Sequence, residues 1–268
     1  MTLAGRTAVV TGAGSGIGRA IAVSLAVRGC QLALADIDEA GLSGTRALLE
    51  GRGAGVSLHR LDVADPKAVA AFPNAVAQQH DKVDLLFNNA GVAVGGAFEE
   101  VSESDFQWLF DINFWGVVRM TRAFLPVLRR SEEARIVNIS SLFGLISPPG
   151  QTAYSASKFA VRGFSNALRF ELEGSTVGLT VVHPGGVATS IAKNSRKPDS
   201  RSEVEIEAAI ARIEKMLRMP AERAAEIIVR GVAKGKARIL VGADARICSL
   251  IERFMPVSYW RLLSRGLR

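Results

Sequence analysis

Short apolar runs alternate along this chain with longer stretches whose apolar positions recur every three or four residues. The runs at 7–11, 31–35, 56–61, 83–87, 135–139, 177–182 and 238–241 are rich in Val, Ile and Leu on both faces. A strand that is apolar on both faces is covered on both sides, as in parallel sheets. The stretches between predict helices at roughly 16–29, 38–51, 65–80, 104–130, 152–173 and 220–234. Repeated strand–helix–strand units with right-handed crossovers give an α/β fold, a doubly wound sheet with helices on both faces. No composition break or long polar linker divides the chain, so residues 1–243 read as one domain. Residues 244–268 read as a helical extension of it.

Three segments depart from the simple alternation. Pro73 stands inside the predicted helix after Asp65, and proline there costs about 3 kcal/mol, so the helix is expected to kink or break. Residues 190–219 begin polar, from Lys193 to Ser202. They then place Ile206, Ile210, Ile213 and Leu217 on one helical face, as expected for a mobile opening followed by a helix over something apolar. The extension puts Ile247, Leu250, Ile251 and Phe254 on one face, followed by Pro256, Trp260, Leu262 and Leu263, with Arg253, Arg261, Arg265 and Arg268 among them.

Composition adds bounds rather than identity. Apolar residues make up 48% of the 268, enough for a large core and too many for a disordered chain. Cys30 and Cys248 suggest no disulfide framework, so a reducing compartment fits. His59, His80 and His183 show no metal spacing, and no metal is expected. The N-terminus runs directly into a strand pattern without the apolar stretch of a signal peptide. No run of some 18 apolar residues predicts a membrane span. A cytoplasmic protein is therefore expected. The net charge of +7 raises nucleic acid or an anionic membrane as partners. Without a Lys/Arg run interleaved with aromatics, nucleic acid is not expected.

The first strand runs into Thr11-Gly12-Ala13-Gly14-Ser15-Gly16-Ile17-Gly18, and a helix follows at once. Gly12 can turn the chain off the strand, Gly16 admits a pyrophosphate, and Gly18 lets the helix pack on the strand. The helix N-terminus offers unpaired N–H groups to phosphate. A glycine run alone could be a plain loop, but its place between strand and helix is the context that marks a dinucleotide site. Asp36 ends the second strand, 18 residues after Gly18. A carboxylate there accepts from ribose hydroxyls and repels a 2′-phosphate, favouring NAD over NADP; its other reading is a helix cap. Asp62, just after the third strand, is placed for the adenine edge, although Asp65-Pro66 is the better cap nearby.

Tyr154 and Lys158 stand four apart, one turn along one helical face. An ammonium beside a phenol, together with an oxidised nicotinamide, would lower the phenol's pKa toward neutrality. Such a pair is most often plain helix surface, but here other polar residues accompany it. The fifth strand, 13 residues upstream, ends in Asn138-Ile139-Ser140-Ser141. Strand carboxyl ends line the site in open α/β sheets, so Ser141 can meet a substrate oxygen. The fourth strand ends in Asn88-Asn89-Ala90-Gly91, with Asn113 on the next helix. The sixth ends in His183-Pro184-Gly185-Gly186-Val187-Ala188-Thr189. His183 reads as a strand-end residue rather than a base.

These pieces, in this order and spacing, resemble the short-chain dehydrogenase/reductase family over about residues 4–241. The resemblance implies a single Rossmann-type domain with a seven-stranded parallel sheet. It implies Tyr154 as acid/base, Ser141 orienting the substrate oxygen, and Lys158 lowering the tyrosine pKa and binding the nicotinamide ribose. Asn113 would hold a water in the proton relay. Cofactor contacts fall on Gly12, Ser15, Gly16, Ile17, Gly18, Asp36, Asp62, Val63, Asn89, Ala90, Gly91, Tyr154, Lys158, Pro184, Gly185, Val187 and Thr189. It also implies a homodimer or homotetramer built on the helices around 104–130 and 152–173. The added C-terminal residues depart from the family pattern and put an end-to-end tetramer in doubt.

The function expected is NAD-dependent interconversion of a secondary alcohol and its ketone. Leu142, Phe143, Val92, Val94 and Ile146 flank the site, and 190–219 can cover it, which points to a lipophilic substrate; the polar start of the cover leaves small polyols open. The rival is an NAD-binding sensor or scaffold, which has no use for Tyr154, Lys158, Ser141 and Asn113 together. Peripheral membrane contact through 247–263 is a secondary possibility, behind packing on the protein's own surface or a subunit interface.

Overall fold

Every residue of the first strand, β1 (Thr7–Thr11), is buried, and its side chains enter two different cores. Ala8 and Val10 join one apolar cluster and Val9 the other, because successive residues of a strand face opposite ways. Residues 1–198 and 200–264 of the computed structural model are described here. The remaining strands are β2 (Gln31–Asp36), β3 (Val56–Arg60), β4 (Leu85–Asn88), β5 (Ala134–Ile139), β6 (Val177–Pro184) and β7 (Arg238–Val241). All pair in parallel, in the order β3-β2-β1-β4-β5-β6-β7. The strand order reverses between β1 and β4, and a crevice opens there at the carboxyl ends.

The helices are α1 (Gly16–Ala26), α2 (Glu39–Ala47), α3 (Pro66–Ala77), α4 (Glu103–Phe110), α5 (Gly116–Leu128), α6 (Thr152–Glu171), α7 (Glu203–Glu214), α8 (Ala221–Ala233), α9 (Ala243–Phe254) and α10 (Tyr259–Leu263). Ile21 and Leu25 of α1 pack with Ile228 and Val229 of α8 on one face of the sheet. Val69 and Phe72 of α3 pack with Met120 and Phe124 of α5 on the other. Each of the seven expected strands is present. Among the described residues no helix is long and apolar enough to cross a membrane.

Two helix expectations need correction. The 104–130 stretch is not one continuous α-helix: a π-helical turn, Asp111–Trp115, separates α4 from α5. The helix after Asp65 is not broken at Pro73 but runs on to Ala77. Proline forfeits a hydrogen bond there, yet burial of Val69, Phe72 and Val76 holds both sides of it against the sheet. The Asp65 carboxylate starts that helix by accepting from Lys67 N at 2.8 Å.

Candidate active site

The turn after β1 is built to be bare. A Cβ on Gly18 would lie 2.0 Å from Gly12 O and 2.5 Å from Asn89 Nδ2, so only glycine lets α1 begin this close to the strand. Gly16 has φ +50 and faces the methyl of Thr189, which reaches over it from the loop after β6. The Ser15 hydroxyl caps nothing and is exposed, and the first N–H groups of α1 have no carbonyl a turn before them. Thr11 and Asn89 lock this turn to the end of β4. Asn89 Nδ2 donates to Thr11 O at 3.0 Å and Gly12 O at 3.1 Å, and the Thr11 hydroxyl accepts from Asn89 N and Ala90 N at 3.0 Å each. The cradle fits the pyrophosphate of a dinucleotide: open backbone donors, no side chain in the way, and a rigid floor.

Asp36 closes one side of the cradle. Its carboxylate accepts from Gly14 N at 2.8 Å and Asp38 N at 3.0 Å, so it stands beside the turn and is not the cap of α2. Asp62 is exposed and accepts from Ala64 N at 2.8 Å in its own turn. Val63 is buried and belongs to the α3–α5 core.

The reacting end forms where α6 crosses the ends of β4 and β5. Tyr154 is half-buried, with its ring edge-on to Phe143 at 6.1 Å. Lys158 is 4% exposed, with Nζ 5.7 Å from the centre of the tyrosine ring. Its ammonium donates to Ile139 O at 3.2 Å, which leaves two of three N–H donors unspent. Desolvation pulls the Lys158 pKa down to about 8. Ser141 begins the turn Leu142–Gly144 by accepting from Phe143 N at 3.1 Å.

Burial pushes the Tyr154 phenol up, and Ser141 acts the other way, although no well-formed hydrogen bond joins the two side chains. Burial thus favours the neutral phenol.

Asn113 lies in the π-helical turn and is fully buried. Its Oδ1 accepts from Val92 N at 2.8 Å, and its Nδ2 donates to Val92 O at 2.9 Å and Ser157 Oγ at 3.2 Å. Ser157 Oγ in turn donates to Tyr154 O at 2.8 Å. Asn113 therefore clamps the strand-end loop to the tyrosine helix, and any water it holds must share Oδ1. Gly91 sits between the two polar groups: a Cβ there would be 3.1 Å from Asn113 Oδ1 and 3.4 Å from Lys158 Nζ.

The loop after β6 completes the crevice. Pro184 ends the strand, paired with Val241. Gly185 and Gly186 make the turn, and Val187 is buried and bridges to Met219. Residues 190–219 are tied down near both ends. Val94 pairs with Arg196, whose guanidinium donates to Asp105 at 2.8 Å and stacks 3.7 Å from the centre of the Trp108 ring. Ile206, Ile210, Ile213 and Leu217 are half-buried, the face expected to turn inward. Of the flanking apolar residues, Val94 and Ile146 are buried core, whereas Val92, Leu142 and Phe143 are half-buried at the crevice.

Several contributors carry no local sequence signal. Asp244, at the start of α9, accepts from Gly186 N at 2.6 Å. Tyr259 Oη accepts from Ser147 N at 2.9 Å. The extension thus braces two loops beside the site. His183 Nδ1 meets Ser141 O, and only the crossing of β5 and β6 reveals that pairing.

Comparison with known proteins agrees with this geometry. The short chain dehydrogenase family profile matches residues 6–200. The chain is 45% identical over 264 residues to SadH of Mycobacterium tuberculosis, which bears an oxidoreductase name, covering 98% of this chain and 95% of that one. It is similar to the crystal structure of a short chain dehydrogenase/reductase from Burkholderia phymatum in complex with NAD, with TM-score 0.88, 34% identity and 95% of each chain covered. It is also similar to an alcohol dehydrogenase from the archaeon Thermococcus sibiricus complexed with 5-hydroxy-NADP. That match has TM-score 0.75 and 27% identity, and covers 88% of this chain and 95% of that one.

Proposed function

The chain belongs to the short-chain dehydrogenase family of oxidoreductases, and from that premise we propose that it interconverts a secondary alcohol and its ketone with NAD, using Tyr154 as the acid/base. The observation that carries the reading is Lys158. A buried ammonium with one hydrogen bond among the described residues is a cost that the fold has no use for, and it lies under the tyrosine ring where α6 crosses the ends of β4 and β5. NAD when bound supplies the hydride acceptor or donor. The turn Gly12, Ser15, Gly16, Ile17, Gly18 would hold its pyrophosphate, and Asp36 the adenosine ribose. Asp62 and Val63 would flank the adenine. Asn89, Ala90 and Gly91 would line the path to the reacting end. Lys158 and Tyr154 would meet the nicotinamide ribose, with Pro184, Gly185, Val187 and Thr189 on the far side. A carboxylate at Asp36 opposes a 2′-phosphate, which supports NAD over NADP.

In oxidation the Tyr154 oxygen takes the hydroxyl proton; in reduction it returns it. Its resting state is the neutral phenol, ready to donate. To act as base it must ionise, and the Lys158 ammonium, with donors to spare beyond its bond to Ile139 O, favours the anion. Ser141 Oγ donates to the substrate oxygen as charge develops there. Asn113 keeps Val92 and the tyrosine helix in register. Residues 190–219 cover the crevice and exclude water, and Val92, Leu142 and Phe143 favour a lipophilic substrate. A homo-oligomer through α5 and α6 follows the family habit.

Tyr154→Phe keeps the ring and removes the proton donor. Turnover over an alcohol and ketone panel should fall by about 10²–10⁴ while NAD binding, read by calorimetry, is kept. Near-normal turnover would remove Tyr154 from the chemistry. NAD binding by the native chain with no turnover across the panel would favour the sensor reading.

A further inference from the structure

α9 is fastened to the body on one side and bare on the other. Ala245 and Ser249 are buried, Arg238 Nη2 donates to Ser249 Oγ at 2.9 Å, and Asp244 holds Gly186 N. The chain beyond is fastened by Tyr259 to Ser147. Outward, Ile247, Leu250 and Phe254 form one stripe at i, i+3 and i+7, exposed by 55%, 57% and 78%. Met255, Val257 and Leu262 continue the exposed apolar surface past the helix.

The charges of this segment are sorted by side. Asp244 accepts from Gly186 N, and Glu252 is half-buried on the side of the helix near Arg238. Arg246 and Arg253, seven residues apart, make an exposed row beside the apolar stripe, and Arg261 is exposed beyond it. An apolar stripe flanked by cations, held parallel to the surface of a rigid domain, has the make-up of an interfacial helix.

We propose that the outer face of α9 and residues 255–262 dock on an anionic lipid bilayer. Charge complementarity selects this occupant over a second copy of the chain. A two-fold contact places the same patch on both partners, so these arginine rows would face each other. Anionic headgroups meet them without that conflict. Because this segment also braces the Gly186 turn and the Ser147 loop, docking sets the flank of the crevice near the membrane surface.

The test is flotation of the full chain with phosphatidylcholine vesicles, with and without phosphatidylglycerol. Native protein should float with the anionic vesicles only, and less so as salt rises. The variant Ile247→Ser, Leu250→Ser, Phe254→Ser should lose at least about tenfold in partition. The variant Arg246→Gln, Arg253→Gln, Arg261→Gln should lose about fivefold per arginine. Far-UV circular dichroism and melting check that both variants fold; these side chains are exposed, and if the serine variant fails, the glutamine variant alone decides. Equal partition onto both vesicle types, no partition, or unchanged partition in the folded variants overturns the proposal. A serine variant that sediments as a smaller assembly than the native chain while still floating assigns the face to contacts between copies, and overturns it too.

Discussion

The imidazole Nδ1 of His183 lies 2.9 Å from the carbonyl oxygen of Ser141. A carbonyl can only accept, so Nδ1 carries the proton, and Nε2 is left buried without a partner. Burial draws the His183 pKa down to about 4. The ring is thus a neutral strut that fixes the backbone from which Ser141 projects, and no base.

Acid stability should report this strut. In the unfolded chain the imidazole binds a proton below about pH 6.5, whereas in the fold it does so only below about 4. Between those values the unfolded state holds more protons, so stability falls as pH falls. The loss from this group reaches about 3 kcal/mol, from about 1.4 kcal/mol per unit. His59 and His80 are also drawn down by burial and act in the same sense. Urea midpoints measured from pH 7 to 4.5 should fall, and His183→Asn should flatten the fall. An unchanged slope in that variant would mean His183 is not the titrating group.

Lys158 should lower stability while serving the site. Its pKa drops from 10.5 to about 8 in the fold, so below pH 8 the buried charge costs stability. That cost fades as pH rises from 8 toward 10.5. Replacing Lys158 by Met removes the charge and keeps most of the volume, at the loss of one hydrogen bond to Ile139 O. We expect a gain of about 1–3 kcal/mol at pH 7, shrinking above pH 9, with turnover nearly abolished. A destabilised Lys158→Met would mean the ammonium serves packing first.

Which parts of this were legible in the sequence follows from the range of the forces involved. The strands and the glycine turn announce themselves because a period and a backbone need are local. Tyr154, Lys158 and Ser141 are legible as a set because strand ends and one helical turn bring them together by short-range geometry. The π-helical turn around Asn113 adds one residue to a helix and leaves no mark in composition. At Pro73 tertiary burial outweighs a local rule, and at Tyr154 burial, which no spacing reveals, pushes the phenol up. Asp244 and Tyr259 act on loops 58 and 112 residues away along the chain, where no spacing can point.

The cover should loosen when its clasps are removed. Arg196 joins Asp105 and the Trp108 ring, and Arg201 makes two bonds to Glu100 at 3.0 and 2.6 Å. The double variant Arg196→Ala, Arg201→Ala should raise KM by about three- to tenfold while kcat changes by less than about twofold, because the groups act on closure rather than on the reacting atoms. These ion pairs are partly exposed and screened by salt, so KM of the native chain should climb with ionic strength more steeply than that of the variant. Equal salt dependence in the two would show that the clasps do not govern closure.

Stability and chemistry should separate at the two ends of β4. Its carboxyl end leads into Asn89 and Gly91, which line the crevice. Just before its other end Asp84 is fully buried, accepting from Thr7 N at 2.9 Å, Arg6 at 2.9 Å and Ser131 Oγ at 2.6 Å. Burial opposes ionisation there, but the Ser131, Thr7 and Arg6 bonds prevail and hold the Asp84 pKa below the usual carboxylate value. Its contribution is therefore present at neutral pH and lost as pH falls through that lowered value. Asp84→Ala leaves Arg6, Ser131 and Thr7 N short of an acceptor, and should cost about 3–5 kcal/mol in urea unfolding at pH 7. In the folded fraction at low temperature, kcat and KM should match the native chain. If KM moved as well, the amino-terminal edge of the sheet would be coupled to the crevice, contrary to a fold whose chemistry sits only at the carboxyl ends of its strands.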